Sequence, residues 1–339
     1  MHHRAHPACF VRSLLASALC GACLVAGTIP AAATCGSANC FLVTGTREGV
    51  AARGALTVDL SYRYVVQDRK LSGTRRVSEV VTPRIDFENR LIEPDHHREI
   101  RTQNTLVQLD LAFGLTARLT LGGSLPLIND RDHEHFDDVG MPSEHFTSED
   151  GTSGFGDARL EARYALALKP HDLLVGGLAV KLPTGQFRLL DSEGRINEPG
   201  MQPGTGSIDA IASLHYARQI SPMRLEWFLS GSYRLNGANS LDYRLGNEMI
   251  LNSGLSWRTG DRVTCSLQIN GRTTPRDRYL GDEVPATGGA FVNLTPGLRV
   301  TGSSGTQIYG FVQVPVYQRV NEANLAPGAG LLVGVSKSF

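Results

Sequence analysis

The chain of 339 residues is short of the features that place most sequences in a class. Lysine plus arginine and aspartate plus glutamate each number 33, so no charge excess points to nucleic acid. From residue 53 onward there is no convincing helical periodicity, no apolar run of eighteen residues and no low-complexity tract. Membrane-spanning helices are thereby excluded from that region, since one needs roughly 20 consecutive apolar residues. Cysteines number only six, with no CxxCH and, from residue 34 onward, no second pair beside Cys35 and Cys40, which argues against attached haem and a cysteine-based metal site.

The first residues carry an export pattern. Arg4 and Arg12 stand without acids in residues 1–12, Ser13 to Ile29 is a short apolar run, and Ala31, Ala32 and Ala33 precede Thr34. We read residues 1–33 as a signal peptide, too short and too interrupted for an anchor. Cys35 follows Thr34 rather than a small residue, which disfavours lipidation. Removal takes Arg4 and Arg12, leaving 33 − 2 = 31 basic against 33 acidic residues. It also takes Cys9, Cys20 and Cys23. Cys35 and Cys40, in an N-terminal periplasmic segment of residues 34–52, then stand five apart in an oxidising compartment and are expected to form a disulfide. Cys265 is left as a small hydrophobe on an apolar strand face.

What recurs along residues 53–339 is alternation of period two, the mark of a strand with unlike faces. It is clearest between Gly154 and Gly185. There Leu160, Ala162, Tyr164, Leu166 and Leu168 fall on one parity, and Asp157, Arg159, Glu161 and Arg163 on the other. After Lys169 to Asp172, Leu174, Leu178, Val180 and Leu182 oppose Lys181. The pattern recurs at Leu56–Tyr64, Val107–Phe113, Leu119–Leu127, Ile208–Tyr216, Leu225–Leu235, Leu245–Trp257, Val263–Arg272, Ala290–Val300, Ile308–Val316 and Ala329–Phe339, twelve strands in all. Tight connections alternate with mostly longer ones, notably Asp68–Gln103, Asn129–Ser153, Gln186–Thr205 and Arg276–Thr287. An even strand count with short turns at one end and long loops at the other predicts a closed antiparallel transmembrane β-barrel, with periplasmic turns and extracellular loops.

A soluble β-sandwich shows the same alternation with its apolar face turned inward. The export signal, the charge on the polar parity and the aromatics near strand ends (Tyr62, Phe113, Tyr164, Tyr216, Trp227, Tyr233, Trp257) favour the barrel. In hydrocarbon every backbone N–H and C=O must be paired, so Ala329–Phe339 is expected to close against Gly54–Tyr64. Charges then line the interior: Asp59, Arg63, Asp110, Asp157, Arg159, Glu161, Arg163, Lys181, Asp209, His215, Glu226, Arg234, Glu248, Arg272 and Arg299 are the expected pore-lining residues. Twelve strands fall between filled barrels of about 8 and porins of about 16 to 18, so a narrow or partly plugged pore is expected. A terminal aromatic, Phe339, resembles the signal read by the outer-membrane barrel assembly machinery. The expected location is the bacterial outer membrane, N-terminus in the periplasm, with lipid and a small solute as partners and no nucleic acid.

Two stretches carry chemistry. Asn129–Ser153 holds His133, His135 and His145 among many carboxylates. Imidazole and carboxylate together suit zinc or copper, and His133 and His135 share one side of an extended chain; the other reading is a solvated acidic loop. Asp68–Gln103 contains Asp95, His96, His97 and Arg98, and is placed to fold over the pore mouth. Ser213 and His215 would suit an outer-membrane hydrolase, but both have lumen parity, beside Asp209, with no matching asparagine. No catalytic residue, and so no enzyme, is expected.

The segments GFGDARLEARYALAL (154–168) and LLVGGLAVKLPTG (173–185) resemble the GxGD and LPTG stretches of the outer-membrane barrel "transporter" family labelled as the MetA pathway of phenol degradation. The resemblance is clearest from Gly154 to the last strand. It implies a barrel that assists entry of small, often aromatic or hydrophobic compounds, and no catalytic residues. The expected function is therefore a passive outer-membrane channel for small solutes, the alternative being a metal-binding barrel.

Overall fold

The computed structural model describes residues 49–339. The expected signal peptide and the Cys35/Cys40 pair lie outside the described residues. Twelve long strands make up the wall: β1 (Leu56–Ser72), β2 (Leu91–Gly114), β3 (Leu119–Asp137), β4 (Arg159–Leu168), β5 (Asp172–Lys181), β6 (Asp209–Ser221), β7 (Leu225–Leu235), β8 (Glu248–Arg258), β9 (Val263–Thr274), β10 (Gly289–Thr301), β11 (Gln307–Val320) and β12 (Ala323–Ser338). Each pairs antiparallel with its chain neighbours. β12 returns to β1, from Thr57 opposite Ser338 to Tyr64 opposite Leu331. Leu56 and Phe339 exchange backbone hydrogen bonds of 3.2 and 2.9 Å at the seam. Closure leaves no edge of unpaired amides, which hydrocarbon would penalise.

The alternating parities take the sides that a membrane requires. Leu60, Leu160 and Leu178 are 42, 57 and 70% exposed on the outside, while Asp59, Asn270 and Thr295 are 2% exposed or less on the inside. Phe113, Tyr164 and Trp257 lie outward near the short-turn end, and Tyr233 lies outward near the other. Cys265 is a half-buried free thiol on the outward parity, opposite Trp257 and Leu298.

The largest departure from expectation lies where long loops were predicted. β2 runs for 24 residues and β3 for 19. At about 3.3 Å per residue, β2 is about 80 Å long, roughly twice what a strand tilted by about 45° needs to cross an apolar band about 25 Å tall. Outward residues mark the limit of the band: Val107, Leu109 and Leu111 give way to Gln103 and Arg101, which face Asp132 and Glu134 across the pair. The connection between β11 and β12 is the two residues Asn321 and Glu322.

Both ends of the lumen are entered by chain. At the short-turn end Ala51 N donates to Thr120 Oγ1 (2.8 Å) and Arg163 Nη1 donates to the Gly49 carbonyl (2.8 Å). At the long-loop end the strand Val81–Asp86 pairs with the extended part of β2. Ile85 there joins Tyr243, Tyr279 and Val284 from two other loops in one apolar cluster. The loop of residues 186–207 turns inward.

Candidate functional site: the lumen and its inward loop

A cavity of about 400 Å³ occupies the lumen. One side is the barrel wall, with Arg63, Arg159, Arg163, Glu248 and Arg272 beside Leu106 and Val175. The other side is the inward loop, from Glu198 through Pro203 to Thr205, together with Val284–Thr287.

One carboxylate fastens that loop. Asp157, just before β4, accepts from Gly185 N (3.0 Å), Thr205 N (2.9 Å) and Thr205 Oγ1 (2.7 Å). It also pairs with Lys181 Nζ at 2.8 Å. Lys181 in turn lies 3.1 Å from Asp209, and Nζ donates to the Ser207 carbonyl at 3.0 Å. Both ends of the loop are thus tied to a buried Asp–Lys–Asp group, whose side chains are 5, 8 and 1% exposed. The turns meet backbone to backbone. A Cβ on Gly185 would stand 2.8 Å from Gly204 Cα and 2.8 Å from the Gly156 carbonyl carbon, so glycine is required where the two turns touch. The GFGD and LPTG segments are therefore the anchor of a loop inside the barrel.

The remaining charges are paired along the wall. Glu161 lies 3.5 Å from Arg159 and 3.3 Å from Arg163. Glu248 lies 2.6 Å from Arg272 and 3.4 Å from Arg234. Of the fifteen residues expected to line the pore, Arg63, Asp157, Arg159, Glu161, Arg163, Lys181, His215, Arg234, Glu248 and Arg272 border the cavity. Asp59, Asp110 and Asp209 face inward but are buried among neighbours, Asp59 accepting from Tyr309 Oη at 2.8 Å and Asp110 from Gln108 Nε2 at 2.9 Å. Glu226 and Arg299 do not border the cavity and lie toward the short-turn end. The inward loop residues carry no period-two signal and were not found from sequence.

A second group of side chains sits above the apolar band, inside the extended β2–β3 pair. His133 and His135 share the inward parity of β3, as the extended spacing implied, and are 3 and 2% exposed. His145 is exposed but stands opposite Asp137 across a short strand pair, with Nε2 4.0 Å from Glu193 and a ring nitrogen within 4.8 Å of an Asp137 oxygen. His96 and His97 of β2 also turn toward Asp137, with His96 Nδ1 at 3.0 Å and His97 Nε2 at 2.9 Å from Oδ1. The rings of His97 and His135 are 4.6 Å apart, and those of His133 and His135 4.4 Å. His97 Nδ1 reaches Glu198 of the inward loop at 3.0 Å, and Arg195 of the same loop reaches Asp137 Oδ2 at 3.0 Å.

Burial disfavours a charge on His97, but the carboxylates of Asp137 and Glu198 outweigh it and raise its pKa to about 10. Burial lowers His133 to about 4, and burial together with the neighbouring His133 and His97 lowers His135 to about 4. These two rings are neutral at ordinary pH. Burial would raise Asp137, yet its contacts with His96 and His97 hold it well below the usual carboxylate range. Burial also raises Glu99, with repulsion from Glu198 acting in the same direction.

Ser213 and His215 lie on the inward parity of β6, opposite Ser232 and Ser230. Asp209, on the same parity, is committed to Lys181 and to Ser207 Oγ at 2.8 Å.

No family model matches the chain, and no curated protein sequence matches it. Among solved structures it is similar to the COG4313 outer membrane channel from Pseudomonas putida F1, at 15% identity and a TM-score of 0.64, over 88% of this chain and 100% of that one. A weaker likeness, TM-score 0.43 at 12% identity, is to the toluene transporter TbuX of Ralstonia pickettii, over 85% of this chain and 90% of that one. At these identities the likeness concerns the fold alone, and that fold is the closed β-barrel of bacterial outer-membrane channels.

Proposed function

We propose that this chain is a passive outer-membrane channel for small solutes, narrowed by the loop of residues 186–207. The short-turn end, where Leu56 and Phe339 lie, faces the periplasm in this reading, and the β2–β3 extension stands outside the cell. The observation that carries it is the cavity of about 400 Å³ inside a closed barrel, the size of a small-molecule site. Its wall supports solutes of mixed character. Paired charges such as Glu161 with Arg163 offer hydrogen bonds without a strong net field, and Leu106 and Val175 offer apolar contact. Small aromatic compounds with a polar group, the class implied by the GFGD and LPTG resemblance, are the first to test. The lumen does no chemistry in this reading.

The test is flux. Purified protein in planar bilayers and liposomes is expected to pass small ions and small aromatic acids and to exclude solutes much larger than the cavity. Absence of both conductance and flux would remove the channel reading in favour of a plugged barrel.

A further inference from the structure

The histidine cluster of the β2–β3 extension is not needed to line a pore, and its geometry is that of a ligand set. We propose that His97, His135, Asp137 and Asp150 form a binding site for one divalent transition-metal ion. This inference is independent of whether the barrel conducts.

Three observations carry it. First, His135 is 2% exposed, and neither ring nitrogen has a hydrogen-bond partner; the nearest carboxylate oxygen, Asp150 Oδ2, is 3.4 Å from Nε2. A buried polar ring left without partners costs free energy unless something else takes its lone pair. Second, a void of about 10 Å³, bordered by His97, His135, Asp137 and Asp150, lies where these side chains converge. Third, one atom each of His135, Asp137 and Asp150 lies within 4.8 Å of the others, and His97 Nε2 is 2.9 Å from Asp137 Oδ1. Asp137 Oδ1 has no hydrogen-bond partner despite that short distance. Ligands held at about 2.0–2.1 Å from zinc in a tetrahedron stand about 3.3 Å apart, so His135, Asp137 and Asp150, within 4.8 Å of one another, would draw together by up to about 1.5 Å, with His97 closing in from its place beside Asp137.

The chemistry of the donors agrees. Two imidazoles with two carboxylates suit zinc, copper or nickel better than calcium or magnesium, which prefer all-oxygen shells. Two carboxylates balance a divalent charge. Outer contacts hold the ligands: Arg195 takes the other Asp137 oxygen at 3.0 Å, and Glu198 takes the other His97 nitrogen at 3.0 Å. Such partners orient metal ligands generally. Since Arg195 and Glu198 belong to the inward loop, an ion here would also brace that loop.

The test uses the full chain, purified from membranes in detergent without an affinity tag, stripped with chelator and dialysed against zinc chloride. One zinc per chain is expected at this site. His135→Ala and Asp150→Asn should each weaken its retention at least tenfold, with His171→Ala, exposed in a short turn at the opposite end of the barrel, matching the wild type. Heat-modifiable gel mobility shows whether each barrel has folded. Should His135→Ala fail to fold, the X-ray absorption spectrum of zinc-loaded wild-type protein decides alone, a mixed imidazole and oxygen shell being expected. Zinc retention equal in wild type, His135→Ala and Asp150→Asn, or a zinc shell without imidazole, would overturn the proposal.

Discussion

Replacing Asp157 by asparagine tests whether the inward loop is held as the distances imply. The carboxylate accepts from Gly185 N, Thr205 N, Thr205 Oγ1 and Lys181 Nζ, all between 2.7 and 3.0 Å. An amide keeps one oxygen for Gly185 but turns an NH₂ toward donors. Removing one partner of a buried ion pair costs about 3–5 kcal/mol. Lys181 retains Asp209 at 3.1 Å, which places the cost at the lower end, about 3 kcal/mol. At about 1.4 kcal/mol per factor of ten, the closed loop loses roughly 100-fold in population relative to the released one. The loss falls on the loop and not on the wall, because Gly185 and Thr205 sit at its two ends and the strand ladder is untouched. Asp157→Asn is therefore expected to raise single-channel conductance in planar bilayers. It should also speed proteolytic cleavage within residues 186–207 by up to the same factor, since cleavage follows the open population. Lys181→Met leaves two buried carboxylates unpaired and should act more strongly. A folded Asp157→Asn barrel with wild-type conductance and wild-type protection would refute the fastening. A weaker effect from Lys181→Met would refute its electrostatic origin.

Gly204→Ala places a Cβ 2.6–2.7 Å from the backbone of Gly185 and is expected to reproduce the Asp157→Asn cleavage pattern while leaving the urea midpoint of the barrel unchanged. Leu160→Arg, on the lipid face at 57% exposure, should cost about 2–4 kcal/mol in urea titrations of vesicle-inserted protein. Arg159→Leu, inside the wall, should cost less, and the reverse order would invert the assignment of faces. Tyr309→Phe removes hydrogen bonds of 2.8 and 3.0 Å to the buried Asp59 carboxylate and should lower stability by about 1.5–3 kcal/mol in the same titration. Phe339→Ala, at a side chain 68% exposed, should slow barrel assembly in pulse-labelled cells without moving the urea midpoint of the assembled protein; equal assembly rates would dismiss Phe339 as an assembly signal.

The twelve strands were legible because lipid imposes a strict demand. A strand in contact with hydrocarbon must present apolar residues at every second position, so Leu160, Tyr164, Leu178 and Val180 stand out against Arg159, Glu161 and Lys181. Closure followed from the same demand, and Tyr64 does lie opposite Leu331. Above the apolar band that demand ends. β2 and β3 continue as strands from Gln103 to Leu91 and from Asn129 to Asp137, but both faces there meet water or protein, and hydropathy no longer alternates. The sequence pattern consequently read as loop in regions that are sheet.

The placement of the histidines follows from that same continuation. Once β3 is allowed to run on, His133, His135 and Asp137 must share the inward face, and the hairpin from Gly114 carries His133 opposite Thr102 and His135 opposite Glu99. His96 and His97 then arrive beside Asp137 by register alone, while His145, beyond Asp138–Glu144, returns opposite Asp137 at the exposed rim. Sequence spacing grouped His133, His135 and His145 because it counted residues along a loop, and so passed over His96 and His97. The hairpin register counts them across a sheet, and it is the long-range pairing of β2 with β3 that brings His97 beside His135. The inward loop is hidden for a different reason. Its position depends on one aspartate and three glycines, residues common at any turn, so GFGD and LPTG declare a turn but not what the turn holds. Only when Asp157 is seen to accept from Thr205, 48 residues away, does the motif acquire its meaning as a latch within the lumen.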